Sequence, residues 1–263
     1  MLIDRIDYRE KHQFQTVNTS SHLRLSEIAS LREVLLCWDE LRRAEPAFRF
    51  LCTLDDVDQC HYTSMHASQD ERIRLDYPDD PDFDDPEFMH AWEGRTLAHV
   101  AAQLSDPEQQ LSWKDVSGTL ATFDEDIDVL VAMNGDPDAV LDEVVYVQRL
   151  PVISDDLSLA GLPNGYFSCD WNVFQNHAVI RHLRDRYGYR FFGIGASWLG
   201  FVRELPLQAR DAEQLMADLS RLHGQTGCGR AKDAWRSLGQ IVQRQDVLLL
   251  GYAEYFKESF AGS

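Results

Sequence analysis

Apolar positions along this chain follow two rhythms, and their order predicts the elements. Residues 26–43 place Leu31, Val34, Leu35 and Trp38 on one stripe at helical spacing, with Ser26 as the expected cap and Pro46 as the stop. Ala47-Phe48-Arg49-Phe50-Leu51-Cys52 reads as a strand, with residues 59–65 as its expected partner. Pro86 suits the first turn of a helix over 86–104, in which Phe88, Trp92, Leu97, Val100 and Leu104 are the apolar positions. Residues 127–133 and 144–150 read as strands, and Asp136-Pro137-Asp138 is expected to start a short helix between them.

Two turn clusters, Ser154-Asp155-Asp156 and Gly161-Leu162-Pro163-Asn164-Gly165, mark a boundary, and the pattern beyond them is sharper. A helix over 172–187 carries Val173, Ile180, Leu183 and Tyr187 along one stripe and ends at Gly188. Residues 189–194 and 198–204 form an expected hairpin around Gly195-Ala196-Ser197. Asp211 can start a helix through Ala212, Leu215, Met216, Leu219 and Leu222, and Ala231, Trp235, Leu238, Ile241 and Val242 make another. Val247-Leu248-Leu249-Leu250 is the last strand. This order predicts an α+β fold in two α+β parts, each a small, mainly antiparallel sheet packed with helices. The expected division is an acidic N-terminal domain over 1–153 and a C-terminal domain over 160–263.

Composition adds a size and a compartment. The 263 residues are 44% hydrophobic and 11% aromatic, enough for a large core, yet no apolar run approaches the length of a spanning helix. The N-terminal Met1-Leu2-Ile3-Asp4-Arg5 does not resemble a secretory signal, and the five cysteines are scattered without a Cys-x-x-Cys pair. A cytoplasmic protein with buried free thiols is expected, with no membrane contact.

Charge changes the picture more. Of a net charge of −19, residues 76–143 hold nineteen acids against two bases, while residues 160–263 hold ten acids and twelve bases. Such a field repels phosphate backbones, so direct nucleic-acid binding is not expected, and it attracts a basic partner. Within it, residues 76–88 combine three prolines and seven acids with Tyr77, Phe83 and Phe88, which reads as an exposed loop equipped with aromatic anchors. The expected partner-binding residues are Asp76, Tyr77, Asp79, Asp80, Asp82, Phe83, Asp84, Asp85 and Glu87, joined by Asp124, Glu125 and Asp126.

Motifs for chemistry are weak. Gly195-x-Ser197-x-x-Gly200 has the wrong spacing for a nucleophile elbow and lies between two strands, so it reads as a turn. His177 and His182 are too far apart around a helix to share a metal, and Cys60, His61 and His66 lack a fourth ligand. The acidic loop has neither the glycine nor the closing glutamate of a calcium loop. No cofactor, metal or catalytic residue is expected.

Asp170-Trp171-Asn172, Ala178-Val179-Ile180-Arg181, Arg186-Tyr187-Gly188 and Arg203-Glu204-Leu205-Pro206, with Ala212, Leu215 and Cys228 beyond, carry a resemblance. Over residues 162–256 the chain resembles an uncharacterised bacterial family, domain of unknown function 4253. It departs from that pattern at Val173-Phe174-Gln175-Asn176 and at Gly251-Tyr252-Ala253-Glu254. The resemblance implies no catalytic residues; Trp171 and Tyr187 are expected in the core and Asn172 as a helix cap. Together with the clustered acidity it points to a non-catalytic binding protein, specifically an immunity protein that neutralises a basic antibacterial toxin. An enzyme with an unrecognised site and a general scaffold or regulatory module stay open as alternatives.

Overall fold

Continuous apolar strands belong where a sheet is covered on both faces, whereas alternating strands belong where one face is wet. A computed structural model describes residues 1–224, 230–254 and 256, and its sheet grades from one regime to the other. Among the described residues seven strands lie in the order β1-β2-β4-β3-β5-β6-β7. Strands β5 (Arg190–Ile194), β6 (Trp198–Val202) and β7 (Val247–Gly251) are buried at all but one position. Strand β4 (Val144–Leu150) and β3 (Arg49–Thr53) are nearly so. Strand β2 (Ser21–Ser26) alternates, and β1 (Leu2–Arg5) is exposed throughout.

The α+β class is as the pattern indicates, with pairing antiparallel everywhere except between β3 and β5. That parallel pair, Cys52 opposite Gly193 and Thr53 opposite Ile194, joins the two halves of the chain. The two small sheets expected from sequence are therefore one sheet. The 151–165 segment carries a 3-10 helix, Asp155–Gly161, whose Leu157, Leu159 and Ala160 are buried.

Helices α1 (Leu31–Ala44), α3 (Pro86–Ser105), α6 (Val173–Tyr187), α7 (Ala209–Leu222) and α8 (Arg230–Ile241) lie where the helical stripes place them. Asn172 caps α6 by accepting from the Phe174 and Gln175 N–H groups, and Gly188 ends it. Trp171 and Tyr187 are core residues. The hairpin turn between β5 and β6 closes on Asp55, which accepts from the Ser197 N–H at 3.0 Å. A Cβ on Gly195 would stand 1.9 Å from the Asp55 Oδ1, so that position accepts only glycine.

Four more local expectations are overturned. Residues 59–65 lie inside helix α2 (Val57–Ala67), opened by the Asp56 carboxylate, which accepts from the Gln59 N–H. Beyond the one-turn helix α4 (Trp113–Val116), residues 127–133 lie inside helix α5 (Asp124–Gly135), because three acids in its first turn favour a helix start over a strand. Ser26 ends β2 instead of capping α1, whose cap position is Ser30. Cys37, Cys52 and Cys60 are buried thiols as expected, but Cys169 is exposed; Cys228 lies outside the described residues.

Candidate functional site

The acidic loop is built by its own side chains. Arg74 pairs with Asp76 at 2.7 Å where the loop begins. Tyr77 stacks on Trp92 of α3 (centroids 4.6 Å apart, planes at 27°), and Phe83 meets Tyr77 edge-on at 5.1 Å. Asp82 accepts from the Asp84 N–H at 3.2 Å and turns the chain. Asp85 caps α3 by accepting from the Glu87 N–H at 3.0 Å, with Pro86 in the first turn. Glu87 accepts from the Tyr8 hydroxyl at 2.9 Å and pairs with Arg9, and these two bonds hold its carboxyl below the usual value. A stack of Tyr8 on His90 (3.9 Å) and a bond from the Thr19 N–H to Glu93 (2.7 Å) bind the N-terminal segment to the same helix.

Seven acids thus divide by role. Asp76, Asp82, Asp85 and Glu87 hold the loop, while Asp79, Asp80 and Asp84 are exposed and, among the described residues, have side chains without hydrogen bond or ion pair. The aromatics divide too. Phe88 is half-buried, whereas Tyr77 and Phe83 pack on one side and remain 51% and 56% exposed on the other. Packing pre-orders them, which lowers the entropy a partner must overcome to use them as anchors.

An apolar seam continues beyond the loop, and sequence reasoning missed it. Met65 of α2 and Tyr77, Met89 and Trp92 line one groove of about 200 Å³. On the other side of α2, His66, Tyr166 and Phe167 line a cleft of about 520 Å³. Rings run in contact across α2: Tyr62 to His66 at 4.4 Å, His66 to Tyr166 at 4.9 Å, and Tyr166 to Phe167 at 5.2 Å. Tyr62, Met65, Tyr166 and Phe167 are all about half exposed. The available signal was Tyr166-Phe167 directly after a turn cluster, an apolar pair with no periodicity to bury it.

Asp124, Glu125 and Asp126 do not join this face. They open α5, which packs against α8 and β7, whereas α3 packs against the 155–161 helix. Asp124 and Glu125 are exposed there. Asp126 is fully buried, and its carboxylate accepts from the Phe123 N–H at 2.9 Å, so it caps the helix and presents nothing to a partner.

Buried polar groups elsewhere act as struts. His177 meets Asp156 at 3.0 Å and Arg184 pairs with the same carboxylate, tying α6 to the 155–161 helix. Tyr187 donates to Asp218 at 2.5 Å beside His182 at 3.2 Å, tying α6 to α7. Burial raises the Asp55 carboxyl to about 7, and the Ser197 N–H it accepts opposes that rise. Among the described residues no group of three or more His, Cys, Asp or Glu is placed to hold a metal ion, and no helix is long and apolar enough to cross a membrane.

No family model, curated protein or solved structure matches this chain. The likeness to domain of unknown function 4253 stands on the residues quoted for it alone.

Proposed function

We propose that this chain is a non-catalytic, cytoplasmic protein-binding protein whose loop 76–88, α2 and 165–168 segment together take a basic protein partner. The observation that carries this reading is a run of half-exposed rings on α2 and at 166–167, together with Tyr77 and Phe83 in a loop whose Asp79, Asp80 and Asp84 side chains make no hydrogen bond or ion pair among the described residues. Aromatic side chains are the residues that anchor interface centres, and charged rims steer the encounter. In its sharpest form the partner is a basic antibacterial toxin and the chain its immunity protein. A groove between rings would then hold the toxin's apolar contacts while the free acids meet its cationic site.

Co-expression with the protein encoded beside it tests this directly. Growth rescue and a co-purifying complex are expected. In that complex, Asp79→Lys, Asp80→Lys and Asp84→Lys together slow association and flatten its salt dependence. Tyr166→Ala with Phe167→Ala leaves association near normal and speeds dissociation about tenfold or more. No rescue and no complex would end the immunity reading, and a complex indifferent to both sets would move the interface elsewhere.

A further inference from the structure

A second cleft, of about 470 Å³, lies between α1 and the adjoining ends of β5 and β6, and its walls carry the opposite charge. Helical spacing puts Arg32, Asp39, Arg42 and Arg43 on one wall of α1. The strand pairing that sets Arg190 opposite Val202 brings Arg190 and Arg203 to the facing wall. Five arginines therefore converge in a chain of net charge −19.

What the five do differs. Arg42 is held by Asp155 at 3.1 Å and Asp39 at 3.8 Å, Arg43 by Asp39, and Arg32 by Asp246 at 3.4 Å. Arg190 and Arg203, among the described residues, have guanidinium groups with no hydrogen bond and no ion pair. Each is instead set over an aromatic ring, Arg190 over Trp38 at 5.4 Å and Arg203 over Tyr189 at 5.5 Å. Trp38 is itself fixed, since its indole N–H donates to the Phe50 carbonyl oxygen at 2.7 Å. The Nε and Nη1 groups of Arg203 are shielded from solvent and, among the described residues, have no acceptor, so this cation is partly desolvated and uncompensated. With 44 acids available against 25 bases, two guanidinium groups without an ion pair among the described residues, facing one cleft, run against the composition of the chain. The remaining acid of the lining, Glu204, is exposed and has no ion pair among the described residues.

We propose that this cleft binds a small, multiply charged oxyanion, a phosphate- or carboxylate-bearing molecule, between Arg190 and Arg203. Guanidinium groups are suited to such oxygens because their planar donors match them in pairs. Ring contacts hold both side chains in place before the ligand arrives, and the cleft volume is that of a small-molecule site. Leu35 and Leu36 supply an apolar wall, with Leu36 half exposed at the mouth. Burial lowers the Arg42 guanidinium from its ordinary value; Asp155 opposes this and the nearby charge of Arg190 adds to it, so an anion here relieves repulsion as well. This site shares no residue with the acidic face and does not depend on it.

Calorimetric titration of the full chain with pyrophosphate and, separately, with citrate at matched ionic strength reads the site. Saturable binding is expected; pyrophosphate alone marks a phosphate ligand, citrate alone a carboxylate one, and both a site that reads charge. Arg203→Gln and Arg190→Gln each weaken binding about tenfold or more. Arg203→Lys, which keeps the charge but loses the planar fork, falls between. Asp80→Asn on the acidic face leaves binding unchanged, and thermal melts by circular dichroism confirm that each variant is folded. Failure of both anions to saturate, or binding that survives both glutamine substitutions, overturns the proposal.

Discussion

The two ends of the sheet solve one problem in opposite ways. An edge strand presents unpaired N–H and C=O groups that invite another chain. At β7 that edge is sealed by a side chain acting as a surrogate strand. Asn134 of α5 donates to the Leu249 carbonyl oxygen at 2.8 Å and accepts from the Leu249 N–H at 2.8 Å. Gln245 then donates to the Asn134 carbonyl oxygen and to the Val247 carbonyl oxygen, at 2.8 Å and 3.1 Å. At β1, among the described residues, the edge is left open: four exposed residues pair with β2, and the Arg24–Asp4 contact at 3.4 Å braces them. A strand of four residues with charges on it can be left open, whereas five buried apolar residues cannot. Length and hydrophobicity decide which remedy an edge needs.

The largest expected effect comes from breaking the seal. Asn134→Leu removes the donor and the acceptor together and leaves both Leu249 backbone groups buried without partners. A loss of about 4 kcal/mol is expected from urea unfolding at pH 7, with aggregation near the midpoint. A loss under about 1 kcal/mol would show that the amide is dispensable and that helix burial alone protects β7.

How dry the sealed end is can be read from His223. Its ring lies among Trp171, Trp235 and Phe256 at centroid distances of 5.7, 5.9 and 6.1 Å, and burial lowers its pKa to about 4. The unfolded chain takes the proton near the ordinary 6.5, the folded chain only near 4. Protons therefore favour unfolding between those values, and stability falls as pH drops from 6.5 toward 4. His223→Gln removes that part of the slope, worth about 3 kcal/mol across the interval. Equal slopes for the two proteins would mean that water reaches this end of the core.

The same asymmetry governs what could be read in advance. Strands β5, β6 and β7 are apolar runs bounded by glycine or turns, so burial on both faces announces them, and Asn172 and Gly188 mark the ends of α6. Strand β1 buries nothing and β2 only alternate positions, so neither carries a strong pattern. In α5 the run Ile127-Asp128-Val129-Leu130-Val131 imitates a strand, yet its buried Ile127, Leu130, Met133 and Asn134 recur at helical spacing behind three acids. The acidic loop and its rings were legible because they are contiguous. The division of its acids into holders and free groups was not, since it depends on Tyr8, Arg9 and Arg74 outside the loop. The arginine cleft draws on α1, which lies more than a hundred residues before β5 and the end of β6, and it is the packing of α1 on the sheet and the strand pairing that bring them together.

The smallest effect is expected at the open edge, and it is the one that would break the comparison outright. Ile3 is 51% exposed and sits opposite Leu25, whose side chain is fully buried. Ile3→Ser gives up half of one side chain's burial and keeps every β1–β2 backbone bond, so a loss under about 1 kcal/mol follows. The serine also makes the open edge more polar, so self-association at high concentration should fall or stay unchanged. Sedimentation at two protein concentrations together with urea unfolding reads both quantities. A loss as large as that of Asn134→Leu would mean that β1 is as much part of the core as β7, and exposure would no longer distinguish the two ends.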